Sequence, residues 1–240
     1  MKIPILYDDE LLKLNIEKQI VWEPDKAPHM IIIGASGSGK TYFSKLLLGK
    51  ISLYVKDSEI IVNDAKGDSD FSFLSGCNNF YRFMECSKGL DAIYKRLLER
   101  QQGIEKSRHM LVYFFDEWAS YLNFQEKKQA EEDKRKMANL LMLGRSFNVH
   151  VVIAVQRGDA QYFANARENL NCVTGLHNLS AESKEMFFKE FRQKMKPDRS
   201  RGTGYMLTNG TDLKAIYVPK VKNMNKLHQT IREAVERNMT

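Results

Sequence analysis

Three short runs of this chain hold side chains of the kinds that handle a phosphate chain. The first is Gly34-Ala35-Ser36-Gly37-Ser38-Gly39-Lys40-Thr41, directly after the apolar run Met30-Ile31-Ile32-Ile33. Its spacing of glycines ahead of Lys-Thr is that of a phosphate-binding loop. Glycine lets backbone N–H groups wrap phosphate oxygens, the lysine reaches the β- and γ-phosphates, and the next hydroxyl ligates Mg²⁺. Gly34, Ser36, Gly37, Ser38, Gly39, Lys40 and Thr41 are therefore the expected nucleotide-binding residues, with ATP and Mg²⁺ as cofactors. A helix expected from Thr41 to about Lys50 adds its positive N-terminal end.

The second run, Leu111-Val112-Tyr113-Phe114-Phe115-Asp116-Glu117, is an apolar strand ending in two acids. In a phosphate-loop protein, an acid at such a tip holds Mg²⁺ beside the phosphates, the role expected of Asp116. Glu117 is then placed to polarise the attacking water as general base. Many strands end in acidic turn residues without such chemistry, so the pair takes its meaning from the loop that precedes it. The third run extends from Gly144-Arg145 through an apolar strand to Gln156-Arg157. Gln156, at a strand tip, suits sensing of the γ-phosphate or orientation of water. Arg145, outside the strand, suits an arginine finger offered to a neighbouring subunit.

Elements able to position these residues are legible as apolar runs at 30–33, 59–63, 110–115, 150–155 and 172–176, with helical patterns between them. Continuous apolar runs of this length mark strands buried on both faces, and the first four predict a parallel sheet between helical layers. Gly204 to Leu207 and Leu213 to Val218, around Asn209-Gly210, predict a hairpin. Leu90, Ile93, Tyr94, Leu97 and Leu98 fall at helical spacing, whereas Glu126 to Lys136 is so highly charged that it reads as a solvated helix or loop. The expected fold is α/β: a mostly parallel central sheet flanked by helices, with a C-terminal hairpin.

The 240 residues suit one sizeable domain, and a net charge of +7 suits a polyanionic partner as well as a merely solvated basic surface. Cys77, Cys86 and Cys172 have no metal-type spacing and accompany no secretory signal, so they are assigned to packing and the chain to a reducing, cytoplasmic setting. No apolar stretch approaches the ~18 residues that span a bilayer.

Taken together, the motifs carry a resemblance. Lys26-Ala27-Pro28-His29 ahead of the first strand, the phosphate loop, a strand ending in Asp64-Ala65-Lys66, the Asp116-Glu117 strand, Arg145 and a strand ending in Gln156-Arg157 resemble the motor domain of the FtsK/SpoIIIE/HerA superfamily. The match runs from about Ile20 to Val218. It implies a RecA-like P-loop NTPase fold and a ring of subunits, most often six, that translocates DNA at the expense of ATP. Lys40, Glu117, Gln156 and Arg145 become the catalytic set, and Thr41 and Asp116 the metal ligands. Ala65 and Gly158 stand where the family usually has proline. The division expected is an N-terminal extension at 1–28, a motor domain at 29–221 and a C-terminal helix at 222–240. The two ends serve either as packed edge strand and core-facing helix or as docking and ring contacts.

A translocating ring grips the phosphate backbone rather than reading bases. Two basic segments are expected at DNA, preferably duplex: one carrying Arg157 and Arg167, the other Lys194, Lys196, Arg199 and Arg201. The second reads equally as a solvated loop. A docking protein or portal is a further expected partner. An ATP-gated switch with little turnover is the alternative, against which Glu117 argues. A small-molecule kinase lacks an evident acceptor site.

Overall fold

A run such as Met30-Ile31-Ile32-Ile33 can be buried at every position only where helices cover both faces of a sheet, and all four residues are buried completely. The computed structural model describes residues 1–238 and assembles, among them, one sheet of ten strands. These are β1 (Ile3–Asp8), β2 (Gln19–Trp22), β3 (Met30–Ile33), β4 (Glu59–Asp64), β5 (Phe80–Arg82), β6 (Leu111–Asp116), β7 (Val149–Val155), β8 (Cys172–Leu176), β9 (Thr203–Thr208) and β10 (Asp212–Tyr217). The helices are α1 (Asp9–Leu12), α2 (Lys40–Tyr54), α3 (Cys86–Gln101), α4 (Trp118–Phe124), α5 (Lys127–Leu143), α6 (Ala181–Phe187) and α7 (Met224–Glu236).

The strand order is β2-β1-β10-β9-β8-β3-β7-β6-β4-β5. From β8 to β5 every neighbouring pair is parallel, and from β8 back to β2 every pair is antiparallel. The strand that feeds the phosphate loop is separated from the Asp116 strand by β7 alone, and register carries Ile33 beside Val155 and Asp116 beside Ala154. Parallel strands end at the same edge, so the loop after β3, the acids after β6 and Gln156 after β7 converge there. This is the RecA-like P-loop arrangement.

Alternation along β3 divides the interior. Ile31 and Ile33 face a core shared with α3, α4 and α5, while Met30 and Ile32 face a core shared with α2 and α7. Every strand expected from the sequence is present within a residue or two, and Cys172–Leu176 also joins β3 in parallel. The hairpin turns through Asn209 and Gly210, both in the left-handed conformation that Asn-Gly favours. The strand β5 was not legible: it has three half-buried residues and no alternation to read. At the N-terminus β1 and β2 extend the sheet from β10. The expected C-terminal helix is α7, and residues 239–240 lie outside those described. The charged segment is the solvated part of α5, although Asp133 within it is buried and accepts hydrogen bonds from Tyr121 Oη (2.7 Å) and Gln129 Nε2 (2.9 Å). Cys77, Cys86 and Cys172 are free and buried in the two cores, and burial raises all three thiols above their usual range.

At the opposite edge from the converging loops, buried charges close the sheet. Arg96 donates to Glu59 Oε1 (2.9 Å) and Glu105 Oε2 (2.6 Å), and Arg100 donates to Glu105 Oε1 (2.8 Å) and to the carbonyls of His109 (3.1 Å) and Phe147 (2.7 Å). Burial alone would raise the Glu105 carboxyl, but the bonds from Arg96 and Arg100 outweigh it and hold the group below its usual range. Its contribution is therefore full above an unfolded-state pKa of about 4.3 and is lost as pH falls through the lower folded-state value. Replacing one partner strands buried charge, so Glu105→Ala should cost about 3–5 kcal/mol at pH 7. In denaturant titrations the gap to wild type should narrow as pH falls below about 4; a pH-independent gap would contradict this account.

Candidate active site

The phosphate loop leaves β3 at Ile33 and is pinned at both ends. Gly34 N–H donates to the Val155 carbonyl (3.2 Å), and the Ser38 carbonyl accepts from Gly202 N–H (3.4 Å). Gly37 (φ 79°) and Gly39 (φ 101°) adopt conformations that an L side chain resists, which lets the loop wrap and hand over to α2 at Lys40. A Cβ at Gly37 would meet nothing within 4 Å, so the cradle is open, and the buried Ser38 hydroxyl has no hydrogen-bond partner.

Lys40 is buried, and its Nζ lies 3.1 Å from Glu117 Oε1. Glu117 is buried too and sits in the left-handed region (φ 59°, ψ 47°), a conformation that costs a non-glycine residue on the order of 1 kcal/mol. Its N–H donates to the Ala154 carbonyl (2.9 Å) and its carbonyl accepts from Tyr121 N–H (3.0 Å), which hold the strained turn between β6 and α4. Burial, and then the neighbouring Glu117 charge, push the Asp116 carboxyl up to about 8, with Lys40 opposing. A buried acid so strongly disfavoured as an anion suits a cation beside it. No cluster of three or more His, Cys, Asp or Glu side chains able to hold a metal occurs among the described residues. Thr41 and Asp116 together fit Mg²⁺ of the kind that keeps phosphate and water ligands.

Lys40, Thr41, Asp116, Glu117 and Gln156 line one cleft of about 380 Å³, a size suited to a nucleotide. Gln156 is exposed at its rim, with Arg157 exposed just beyond. Arg145 is exposed in a 3₁₀ turn before β7, at the opposite sheet edge. The seven residues of β7 separate it from Gln156 by about 20 Å, so it does not reach its own cleft.

The two basic segments are not the free loops expected. Arg157 and Arg167 lie at opposite edges, because residues 158–171 run back along the sheet as 3₁₀ turns with Phe163 and Ala166 buried. Lys194 and Lys196 are exposed. Arg199 is turned inward: it is buried and ion-paired to Asp9 (2.8 Å), a tie between the loop before β9 and the N-terminal helix α1. Arg201 lines the nucleotide cleft. A count of charges carries no direction, so the sequence grouped side chains that the fold sends three ways.

The Lys26-Ala27-Pro28-His29 motif braces the sheet. Burial, and then the His150 ring, depress His29 to about 3, leaving its Nδ1 to accept from Val151 N–H (3.0 Å); His150 Nδ1 donates to the Pro28 carbonyl (3.0 Å). In the second-strand motif, Asp64 accepts from Gly67 N–H (2.8 Å) and Arg82 Nε (3.3 Å), and Lys66 reaches the cleft. Gly158 N–H donates to Ser183 Oγ (3.2 Å), a bond proline could not make. Sequence reasoning missed Tyr42, Met224 and His228, which also line the cleft. Only the position of Tyr42, directly after Lys-Thr, hinted at this.

No protein-family model matches the chain. It is 25% identical over 236 residues, 92% of its length, to the FtsK domain-containing protein YdcQ of Bacillus subtilis (strain 168). The cytoplasmic domain of the Thermomonospora curvata type VII secretion ATPase EccC superposes on 98% of the chain with a TM-score of 0.73 and 19% identity. The pCW3 conjugation coupling protein TcpA, in a monomer form with ATPγS, covers 95% with a TM-score of 0.72 and 16% identity. The resemblance to FtsK-type motor domains is borne out. The chain spans about half of YdcQ, 31% of the EccC chain and 70% of the TcpA chain. Among the described residues no helix is long and apolar enough to cross a bilayer.

Gly39→Ala forces a side chain into a φ of 101° and should lower stability by about 1–2 kcal/mol. It should also abolish the rise in melting temperature that ATPγS gives the wild type. Lys40→Ala should lose that rise while retaining the folded circular dichroism spectrum; a full ligand-induced rise in either variant would refute the loop assignment.

Proposed function

We propose that this chain is an ATP-hydrolysing motor that works as a ring of identical subunits, six by the family resemblance, and drives duplex DNA. The observation that carries the reading is the buried meeting of Lys40 and Glu117 at 3.1 Å beside Asp116, inside a glycine-built cleft. This pairs a phosphate-binding lysine with a candidate base, which a passive binding module does not need.

Lys40 and the loop amides hold the phosphates, and Thr41 and Asp116 hold Mg²⁺. When bound, Mg²⁺ neutralises charge on the phosphate oxygens. Glu117 takes the proton of the attacking water, and Gln156 at the rim orients that water. Arg145 cannot serve its own cleft, so its role as a finger requires the amino edge of one subunit to face the carboxyl edge of the next. Such a head-to-tail contact builds a ring when its rotation closes. Exposed Arg157, Lys194 and Lys196, with half-buried Arg167, are the proposed phosphate contacts to DNA; the named conjugation role of TcpA and the +7 charge support a nucleic-acid track.

Steady-state ATP hydrolysis with duplex DNA, single-stranded DNA or neither, at two salt concentrations, tests the reading. Duplex DNA should stimulate turnover and the effect should fade with salt. Glu117→Gln should keep ATP binding while lowering turnover about 10²–10⁴-fold, and Arg145→Ala should lose the stimulated rate. Slow turnover indifferent to DNA would favour an ATP-gated switch instead.

A further inference from the structure

The cleft continues past the residues that suit phosphates and Mg²⁺. Its wall also includes Tyr42 at the start of α2, Arg201 ahead of β9, and Met224 and His228 on the first two turns of α7. These belong to three separate elements, each independently held in place. Gly49 of α2 leaves room for α7, since a Cβ there would lie 2.1 Å from Leu227 Cδ1. Ile231, Ala234 and Val235 of α7 are buried, and Arg232 Nη1 donates to the Phe73 carbonyl (2.9 Å). The chain leading into α7 is fastened to the cleft by Tyr42, whose hydroxyl donates to the Pro219 carbonyl (3.4 Å) and accepts from Val221 N–H (2.5 Å).

The chemistry of this wall differs from that of the phosphate loop. The His228 ring is stacked on Phe73 at 3.8 Å and 5°, and its Nε2 is buried with no hydrogen-bond partner. Burial, and then the Lys45 charge, keep this imidazole below its ordinary pKa and hence neutral near pH 7. Arg201 makes no ion pair or side-chain hydrogen bond among the described residues, although its chain neighbour Gly202 bonds the phosphate loop. A flat guanidinium, a polarisable thioether and a neutral aromatic ring are groups that stack on heteroaromatic rings. Lys45, another cation of the cleft, is paired with Asp70 (3.2 Å).

We propose that Arg201, Met224 and His228, with Tyr42 as their anchor, seat the base of the nucleotide whose phosphates the glycine loop holds, which makes the C-terminal helix part of the nucleotide site. The proposal rests on the reading of the loop as a nucleoside triphosphate site. It reassigns Arg201 from DNA to the nucleotide.

Calorimetric titration with two ligands separates the seat from the loop: ATPγS, which has a base, and inorganic tripolyphosphate, which has none. Arg201→Ala, Met224→Ala and His228→Phe, the last retaining a ring against Phe73, should each weaken ATPγS about tenfold, within the range of one lost stacking contact. They should leave tripolyphosphate affinity within about twofold, while Lys40→Ala should lose both ligands. Melting temperatures measured alongside identify any variant that fails to fold, and Arg201, exposed on the loop, provides a substitution free of core packing. Variants that bind ATPγS as wild type does, or that weaken both ligands equally, overturn the seat and leave the loop assignment standing. A folded wild type that binds neither ligand overturns the loop assignment and the seat with it.

Discussion

The Lys40–Glu117 ion pair, buried at the floor of the cleft beside Asp116, is the constraint on which the architecture of this chain depends. Two carboxylates and one ammonium share a buried corner, so the corner is one positive charge short of balance. Asp116 answers by holding a proton far above the usual carboxylate range. In water, such charges would be screened and interchangeable; with little solvent, each one's preferred state is set by the others. A phosphate chain with its cation changes all of these balances together, which is how a static arrangement can respond to a ligand.

Keeping that corner assembled is the work of the sheet. The hydrogen-bond ladders of β3, β7 and β6 fix where each strand ends, and a slip of one residue would turn every side chain to the other face. Two apolar layers hold those strands, and the Arg96, Arg100 and Glu105 network closes the opposite edge, where strand starts would otherwise leave carbonyls unpaired. The strained backbone of Glu117 persists because the Ala154 carbonyl and α4 hold it from either side.

The antiparallel half of the sheet is more than an appendage. The loop entering β9 bonds the phosphate loop through Gly202, and its Arg199 is tied to Asp9 of α1. The strand β10 pairs with β1, and the chain then passes Tyr42 on its way to α7. The N-terminal strands, the hairpin and the last helix are thus linked mechanically to the nucleotide cleft.

Local sequence determined much of this by itself. Runs of buried apolar residues, the glycine spacing before Lys40, the Asp116-Glu117 strand end and the Asn209-Gly210 turn are each decided by neighbours in the chain, through steric and hydrogen-bonding rules that act over a few residues. The strands, the cleft-forming motifs and the FtsK-type resemblance were legible for that reason. What only the tertiary structure decided is direction and company: that Arg199 turns inward while Arg201 faces the cleft, that Arg157 and Arg167 part to opposite edges, that β5 is a strand at all, and that His228, some 190 residues after Lys40, lines the same cleft. These depend on which distant surfaces meet when two apolar layers close over one sheet, and no local pattern encodes where a charged side chain will point once they do.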